Sequence, residues 1–254
     1  MLWRDVTATV PSIPLITGSI MSKKLAESLN ALVLDVKFGS GAFMKTFEQA
    51  TALAESLVRT GERMGVRTVA LLTDMNQPLG RMCGNAVEVI ESMDVLKGDG
   101  PADVRDLTIE LCSELLVMTH RASTVEQARV QCAAIIDSGR APERYCRMVV
   151  AQGGNPHATL PVAPATDITA PHSGWVREMD TESRLDWPLS VLAAAGRRWA
   201  IQSITASALE MLVRIGDRVE QGQPLVRVFS KDAAHVKSMI LSSITIGDHV
   251  AHCR

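Results

Sequence analysis

Two apolar runs with a helix-length segment between them constrain the fold of this chain more than any other feature. Residues 31–38 and 66–73 are each rich in Val, Leu and Ala. Such runs are typical of strands buried inside a parallel sheet. We expect a helix over residues 46–64 between them. A strand, a helix and a second strand in this order predict a parallel βα unit that continues into a second strand.

The segments that follow the two runs form the expected ligand-binding edge of this sheet. In open α/β folds, ligands bind at the carboxyl ends of the strands, which is where Lys37 and Ser40 stand. A Gly-x-Gly as short as residues 39–41 favours a close turn over phosphate binding. Asp74 begins the loop after the second run, and it either caps the next helix or pairs with Lys37.

In the rest of the chain, the sequence pattern changes once, from helical to β. Further helices are expected over residues 85–96, 103–120, 125–138 and 142–152. Residues 153–170 are rich in Gly and Pro and predict a linker. From residue 171 the pattern favours β-structure, with a short helix expected over residues 189–195.

One motif in the C-terminal part resembles a known module. Residues 215–226 have the Gly-Asp-x-Val-x-x-Gly-x-Pro-Leu pattern of barrel-sandwich domains related to biotin and lipoate carriers. A carrier needs a lysine on a hairpin tip, and no lysine lies between Lys97 and Lys231. The prediction is therefore a structural β module.

The whole chain is expected to be α/β, with a partial parallel-sheet domain and flanking helices at 30–152, a linker at 153–170 and a C-terminal α+β, barrel-sandwich-like domain at 171–254.

Charge and composition exclude several classes of function. The formal net charge of −2 and the lack of a basic block give no surface for a nucleic-acid backbone. The apolar runs are far shorter than the roughly 20 residues of a membrane-spanning helix, and we expect no signal peptide at Met1. The 5 cysteines show no paired spacing, which favours reduced thiols and a cytoplasmic location.

The N-terminal stretch carries most of the polar groups that suit a ligand. Pro11 and Pro14 precede a helix expected over residues 15–29, and Ser19 and Lys23 lie four residues apart on it. An extended segment ahead of the helix can bring Arg4 to the same face. An ammonium and a guanidinium donate to two ring carbonyls, and a hydroxyl accepts from the N–H between them, which suits a pyrimidine. The alternative is a surface helix with solvated lysines.

Five stretches of the chain resemble the thymidine phosphorylase and pyrimidine-nucleoside phosphorylase family. They include Arg-Asp-Val-Thr-Ala-Thr-Val, then Ser-Ile-Met-Ser-Lys-Lys, then Asp-Val-Lys-Phe-Gly-Ser-Gly. In order, the matching stretches are residues 4–10, 19–27, 35–44, 72–80 and 84–89. The resemblance covers roughly residues 1–152 and continues more weakly to about residue 230.

The resemblance implies a function and a set of binding residues. Arg4, Ser19 and Lys23 match the family residues that hold the pyrimidine ring, and residues 1–29 match the end of a helical domain. The implied reaction is phosphorolysis of a pyrimidine nucleoside, with inorganic phosphate as co-substrate and no organic cofactor. Some relatives bind a monovalent cation at positions that match Leu79, Met82 and Glu91. The family also forms homodimers through its helical domain.

This sequence departs from the family pattern in two respects. It contains no match to the Lys-His-Ser-Thr-Gly-Gly loop, which binds phosphate and carries a candidate general acid, so no catalytic residue is assigned. We therefore expect the second part of a phosphorylase, with a non-catalytic remnant or an interaction module as the alternatives. Residues 192–196 and 202–205 also differ from the family. Without a full helical domain, Leu15, Ile16, Ile20 and Leu25 are expected to expose apolar surface.

Overall fold

Between residues 12 and 151, the helices and strands follow the predicted order except for one additional strand. The computed structural model describes residues 12–181, 207–231 and 233–249. Its helices are α1 (Ile13–Ala26), α2 (Phe47–Arg63), α3 (Asn85–Lys97), α4 (Ala102–Met118), α5 (Val125–Asp137), α6 (Arg140–Ala151) and α7 (Ala233–Ser243). Its strands are β1 (Ala31–Phe38), β2 (Arg67–Asp74), β3 (Met82–Gly84), β4 (Ala165–Thr169), β5 (Gly174–Met179), β6 (Ala208–Met211), β7 (Arg218–Val219), β8 (Pro224–Phe229) and β9 (Ile244–Gly247). Parallel and antiparallel sheets occur together, which confirms the α/β class in general terms.

The chain divides into two units, formed by residues 1–75 with 106–134 and by residues 76–105 with 135–254. In the first unit, β1 and β2 pair in parallel, from Ala31 opposite Arg67 to Phe38 opposite Asp74. Helix α2 connects them, as predicted. A capping box begins this helix, because Thr46 Oγ1 accepts from the Gln49 amide while Gln49 Oε1 accepts from the Thr46 amide.

The core of the first unit lies between α1, α2 and one face of the sheet. Met21 of α1 and Leu57 of α2 are each only 1% exposed. The expectation of an exposed apolar α1 is wrong for most of its residues. Ile16, Ile20 and Leu25 are half-buried and pack against this core, because α2 provides an apolar partner within the same unit. Leu15 remains 40% exposed.

The second unit contains two antiparallel sheets around a common core. One sheet has the order β3-β6-β8-β4, and the other has the order β7-β5-β9. Val176, Leu209, Leu225 and Val228 from these strands are fully buried, together with Ile240 of α7. The two sheets therefore form a β module, which includes β3 and β4 from outside the predicted 171–254 domain.

Two strands were not predicted, and one expected helix is not described. β3 lies in a segment predicted to be a loop and pairs with β6. β4 lies within the predicted linker and pairs with β8, so residues 165–169 are part of the sheet. The short helix expected over residues 189–195 lies outside the described residues. Within the described part of the chain, no helix combines the length and the apolar character needed to cross a membrane.

Candidate functional site

The orientation of α1 is set by two buried residues that face α2. Thr17 and Met21 lie four residues apart, and both are buried. The Oγ1 of Thr17 and the Oγ of Ser56 on α2 share a hydrogen bond of 2.9 Å. A methionine in the core and a hydroxyl pair beside it therefore fix which face of α1 points inward.

Ser19 and Lys23 lie on the opposite face of the same helix. Each is two residues from a buried position, which places it roughly half a turn away. Ser19 is half-buried and Lys23 is exposed, whereas the neighbouring Lys24 pairs with Glu27 at 3.4 Å. The predicted spacing thus gives one outward face with a hydroxyl and an ammonium. Arg4 lies outside the described residues.

A second polar cluster lies near the carboxyl ends of β1 and β2. Lys37 Nζ lies 2.7 Å from Asp35 Oδ2, and both side chains are 23% exposed. Thr73 Oγ1 donates a hydrogen bond to the other carboxylate oxygen of Asp35. Asp35 was not singled out from the sequence, although residues 35 and 37 of one strand must share a face. The Met75 amide donates to the Phe38 carbonyl at 2.7 Å, which ties the ends of the two strands together.

The predicted cation ligands lie in the second unit. Glu91 of α3 is 8% exposed. Its Oε1 accepts from the Arg81 amide at 2.9 Å, and both of its oxygens accept from the Met82 amide at 3.3 Å. These contacts bring Glu91 to the backbone of Met82, beside Leu79. Gly80 between them has φ +69°, and a Cβ there would collide with Oε2 of Glu91, so the close approach requires glycine.

The oxygen ligands that this loop offers suit a hard cation, but they are few. A buried carboxylate and main-chain carbonyls are the ligands that such cations prefer. Glu91 has no cationic side chain opposite it among its described hydrogen bonds and ion pairs. Its two oxygens already accept backbone N–H groups, and the described residues contain no cluster of three His, Cys, Asp or Glu side chains that could hold a metal. Leu79, Met82 and Glu91 thus fit a cation in chemistry and supply three ligands at most.

Comparisons with known proteins identify relatives along almost the whole chain. The model of the glycosyl transferase family, a/b domain, matches residues 1–142. The chain is 44% identical over 256 aligned residues to pyrimidine-nucleoside phosphorylases of Staphylococcus aureus strains bovine RF122 / ET3-1, USA300 and NCTC 8325 / PS 47. Each alignment covers 97% of this chain and 59% of the relative. The chain therefore spans little more than half the length of these relatives.

Proposed function

The chain belongs to the glycosyl transferase family whose a/b-domain model it matches, and from this premise we propose that it carries the base-binding part of a pyrimidine-nucleoside phosphorylase. Relatives at 44% identity carry that name. The observation that carries the proposal is the outward face of α1, where Ser19 and Lys23 lie together on a helix fixed by buried Thr17 and Met21.

The proposed reaction breaks the bond between the base nitrogen and C1′ of the sugar. An oxygen of inorganic phosphate forms the new bond to C1′, and the leaving base takes the electron pair and then a proton. Negative charge spreads to the ring carbonyls as the bond breaks. Cationic donors at Arg4 and Lys23 would stabilise that charge most in the transition state.

Ser19 has a different proposed role from the two cations. A serine hydroxyl can accept a hydrogen bond from the ring N–H between the two carbonyls. The short Ser19 side chain is half-buried, and it keeps its hydroxyl closer to the helix than the tip of the longer Lys23 side chain. We assign Ser19 to ring orientation.

A monovalent cation at Leu79, Met82 and Glu91 would hold the backbone after β2 and would take no part in bond breaking. The homodimer and the cytoplasmic location also remain proposals.

The test uses the purified chain with thymidine, uridine and inorganic phosphate. We expect base binding by calorimetry and phosphate-dependent release of free base by chromatography. Lys23→Ala removes a hydrogen bond from a charged donor, worth about 1.5–3 kcal/mol, so affinity should fall about 10- to 150-fold. In a preparation that turns over, kcat should fall more than KM rises. Lys24→Ala, on the adjacent position of α1, is the matched control and should change neither.

The departure of residues 192–196 and 202–205 from the family pattern favours one alternative, a non-catalytic remnant or interaction module that binds pyrimidine at most. The assay separates the two proposals. Binding that Lys23→Ala weakens, without release of base, supports the binding module. Release of base that depends on phosphate supports the phosphorylase. The absence of both binding and release would contradict both functions.

A further inference from the structure

An arginine side chain fills a group of oxygen atoms at the loop that follows β2. We call residues 76–81 the 76–81 loop. Arg214 Nη1 donates to the carbonyl oxygens of Pro78 and Gly80, both at 2.7 Å. Its Nη2 donates to a carboxylate oxygen of Asp103, forming an ion pair. Two carbonyl dipoles and one negative charge therefore converge on one guanidinium.

Hydrogen bonds within the turn that carries Arg214 fix the position of this residue. The Arg214 amide donates to Asp217 Oδ2 at 2.7 Å, and the Asp217 amide donates back to the Arg214 carbonyl at 3.0 Å. Gly216 between them has φ +98°. The Ile215 amide donates to Gln77 Oε1 at 2.9 Å, which adds a second bond from this turn to the 76–81 loop. The Gly-Asp pair of the carrier-like motif thus serves here to present an arginine.

Three further backbone groups of the 76–81 loop are held by other residues. The Gly80 amide donates to Asp103 Oδ2 at 3.1 Å, so this carboxylate joins the loop to Arg214. The Arg81 amide donates to Glu91, and the Arg81 carbonyl accepts from the Met211 amide at 2.7 Å. Arg214 satisfies the carbonyls of Pro78 and Gly80 within this network. Its removal would take this donor away from both oxygens.

The chemistry of this cluster is that of a cation site. Carbonyl oxygens that point at a common centre repel one another unless a positive charge lies between them, which is how such oxygens bind dissolved cations. A guanidinium suits this cluster better than an ammonium, because its planar fork reaches acceptors in separate directions at once. Arg214 and Asp103 are 30% and 34% exposed, so the cluster opens to solvent on one side. A small cation could therefore enter it if the side chain were absent.

We propose that Arg214 is a positioning residue whose guanidinium acts as a built-in cation for the 76–81 loop. It fixes the backbone that carries Leu79 and leads to Met82, through the carbonyls of Pro78 and Gly80. Removal of the side chain leaves an oxygen-lined site that takes a free guanidinium ion. This inference does not depend on the proposed reaction, because the contacts and the test concern the loop alone.

The test measures hydrogen exchange of loop peptides in the full chain. We compare the unmodified protein with Arg214→Ala, in sodium chloride, in guanidinium chloride below its unfolding range, and in urea at the same concentration. In Arg214→Ala we expect faster exchange at the Gly80, Arg81 and Met82 amides. Guanidinium should restore much of the protection, and urea, which has a similar shape and no charge, should restore none. Arg218→Ala is the matched control, because Arg218 is exposed on β7 of the same module.

Two further variants separate charge from hydrogen bonding. Arg214→Gln keeps a donor without the charge and should exchange as fast as Arg214→Ala. Arg214→Lys keeps the charge without the planar fork and should be intermediate. It also serves as the test variant if Arg214→Ala does not fold. The proposal is overturned if Arg214→Ala exchanges like the unmodified chain, if urea rescues as well as guanidinium, or if Arg214→Gln is as protected as Arg214→Lys.

Discussion

Removal of the Glu91 carboxylate is expected to destabilise one short segment strongly and to leave the rest of the chain unaffected. The carboxylate is the acceptor for the amides of Arg81 and Met82. A hydrogen bond to a charged group contributes about 1.5–3 kcal/mol, and both amides are only part-buried. The Met82 contacts of 3.3 Å are longer than ideal, so we place their share at the lower end. Glu91→Ala should therefore destabilise the segment by about 2–4 kcal/mol.

Hydrogen exchange of the peptide spanning residues 78–84 measures this effect directly, because local opening free energy sets the exchange rate. A loss of about 2–4 kcal/mol corresponds to exchange about 30- to 1000-fold faster. Glu91→Gln keeps one acceptor oxygen without the charge, and neutral hydrogen bonds are roughly half as strong. Its effect should be about half as large in free energy. Potassium that slows this exchange in the unmodified chain, and not in Glu91→Gln, would support the proposed cation ligands.

Asp94→Ala on the same helix is the control for Glu91→Ala. Asp94 pairs with Lys97 at 3.2 Å on the exposed face of α3, and such pairs contribute about 0–1 kcal/mol. Exchange of the 78–84 peptide should not change in this variant. If Glu91→Ala exchanges within about threefold of the unmodified chain, which is less than about 1 kcal/mol, the carboxylate does not hold these amides and the reasoning is wrong.

The remaining predictions concern the cores and the surface charges of the two units. Met21→Ala should lower the free energy of unfolding of the first unit by about 2–5 kcal/mol in urea titrations, because it leaves a cavity. Met64→Ala is the control, since Met64 is 63% exposed and its removal should have little effect. Equal effects of the two variants would contradict the core assignment. The Arg227 hydrogen bond lowers the pKa of Asp167, so the carboxylate stabilises the fold above its unfolded pKa and this contribution is lost as the pH falls through the lowered value. Asp167→Asn should therefore lower Tm at neutral pH and have no effect in acid, and a Tm difference that persists in acid would refute this.

The sequence was sufficient to predict elements whose pattern is local. Strand β1 has the predicted bounds, residues 31–38, and α2 differs by one residue at each end, because apolar run length and capping residues lie within the element itself. β3 and β4 were missed for the opposite reason. They are short strands in Gly- and Pro-containing segments, and their structure depends on pairing with β6 and β8 far along the chain.

The same distinction applies to the candidate site. The shared face of Ser19 and Lys23 follows from their spacing and was predicted. The inward orientation of Thr17 depends on Ser56, 39 residues away, and no local pattern indicates it. Arg214 lies 136 residues from Pro78, so its role in the 76–81 loop could not be read from either segment alone. Arg4 lies outside the described residues, and the three-donor site remains a prediction.

The separation between Arg214 and the 76–81 loop has a consequence for biosynthesis. The loop emerges from the ribosome long before Arg214, and at about 5–20 residues per second the delay between the two is roughly 7–27 s. During that interval Pro78 and Gly80 lack their guanidinium, although Glu91 and Asp103 are already available. We expect nascent chains that end before residue 214 to be cut by proteases within this loop and completed chains to resist them.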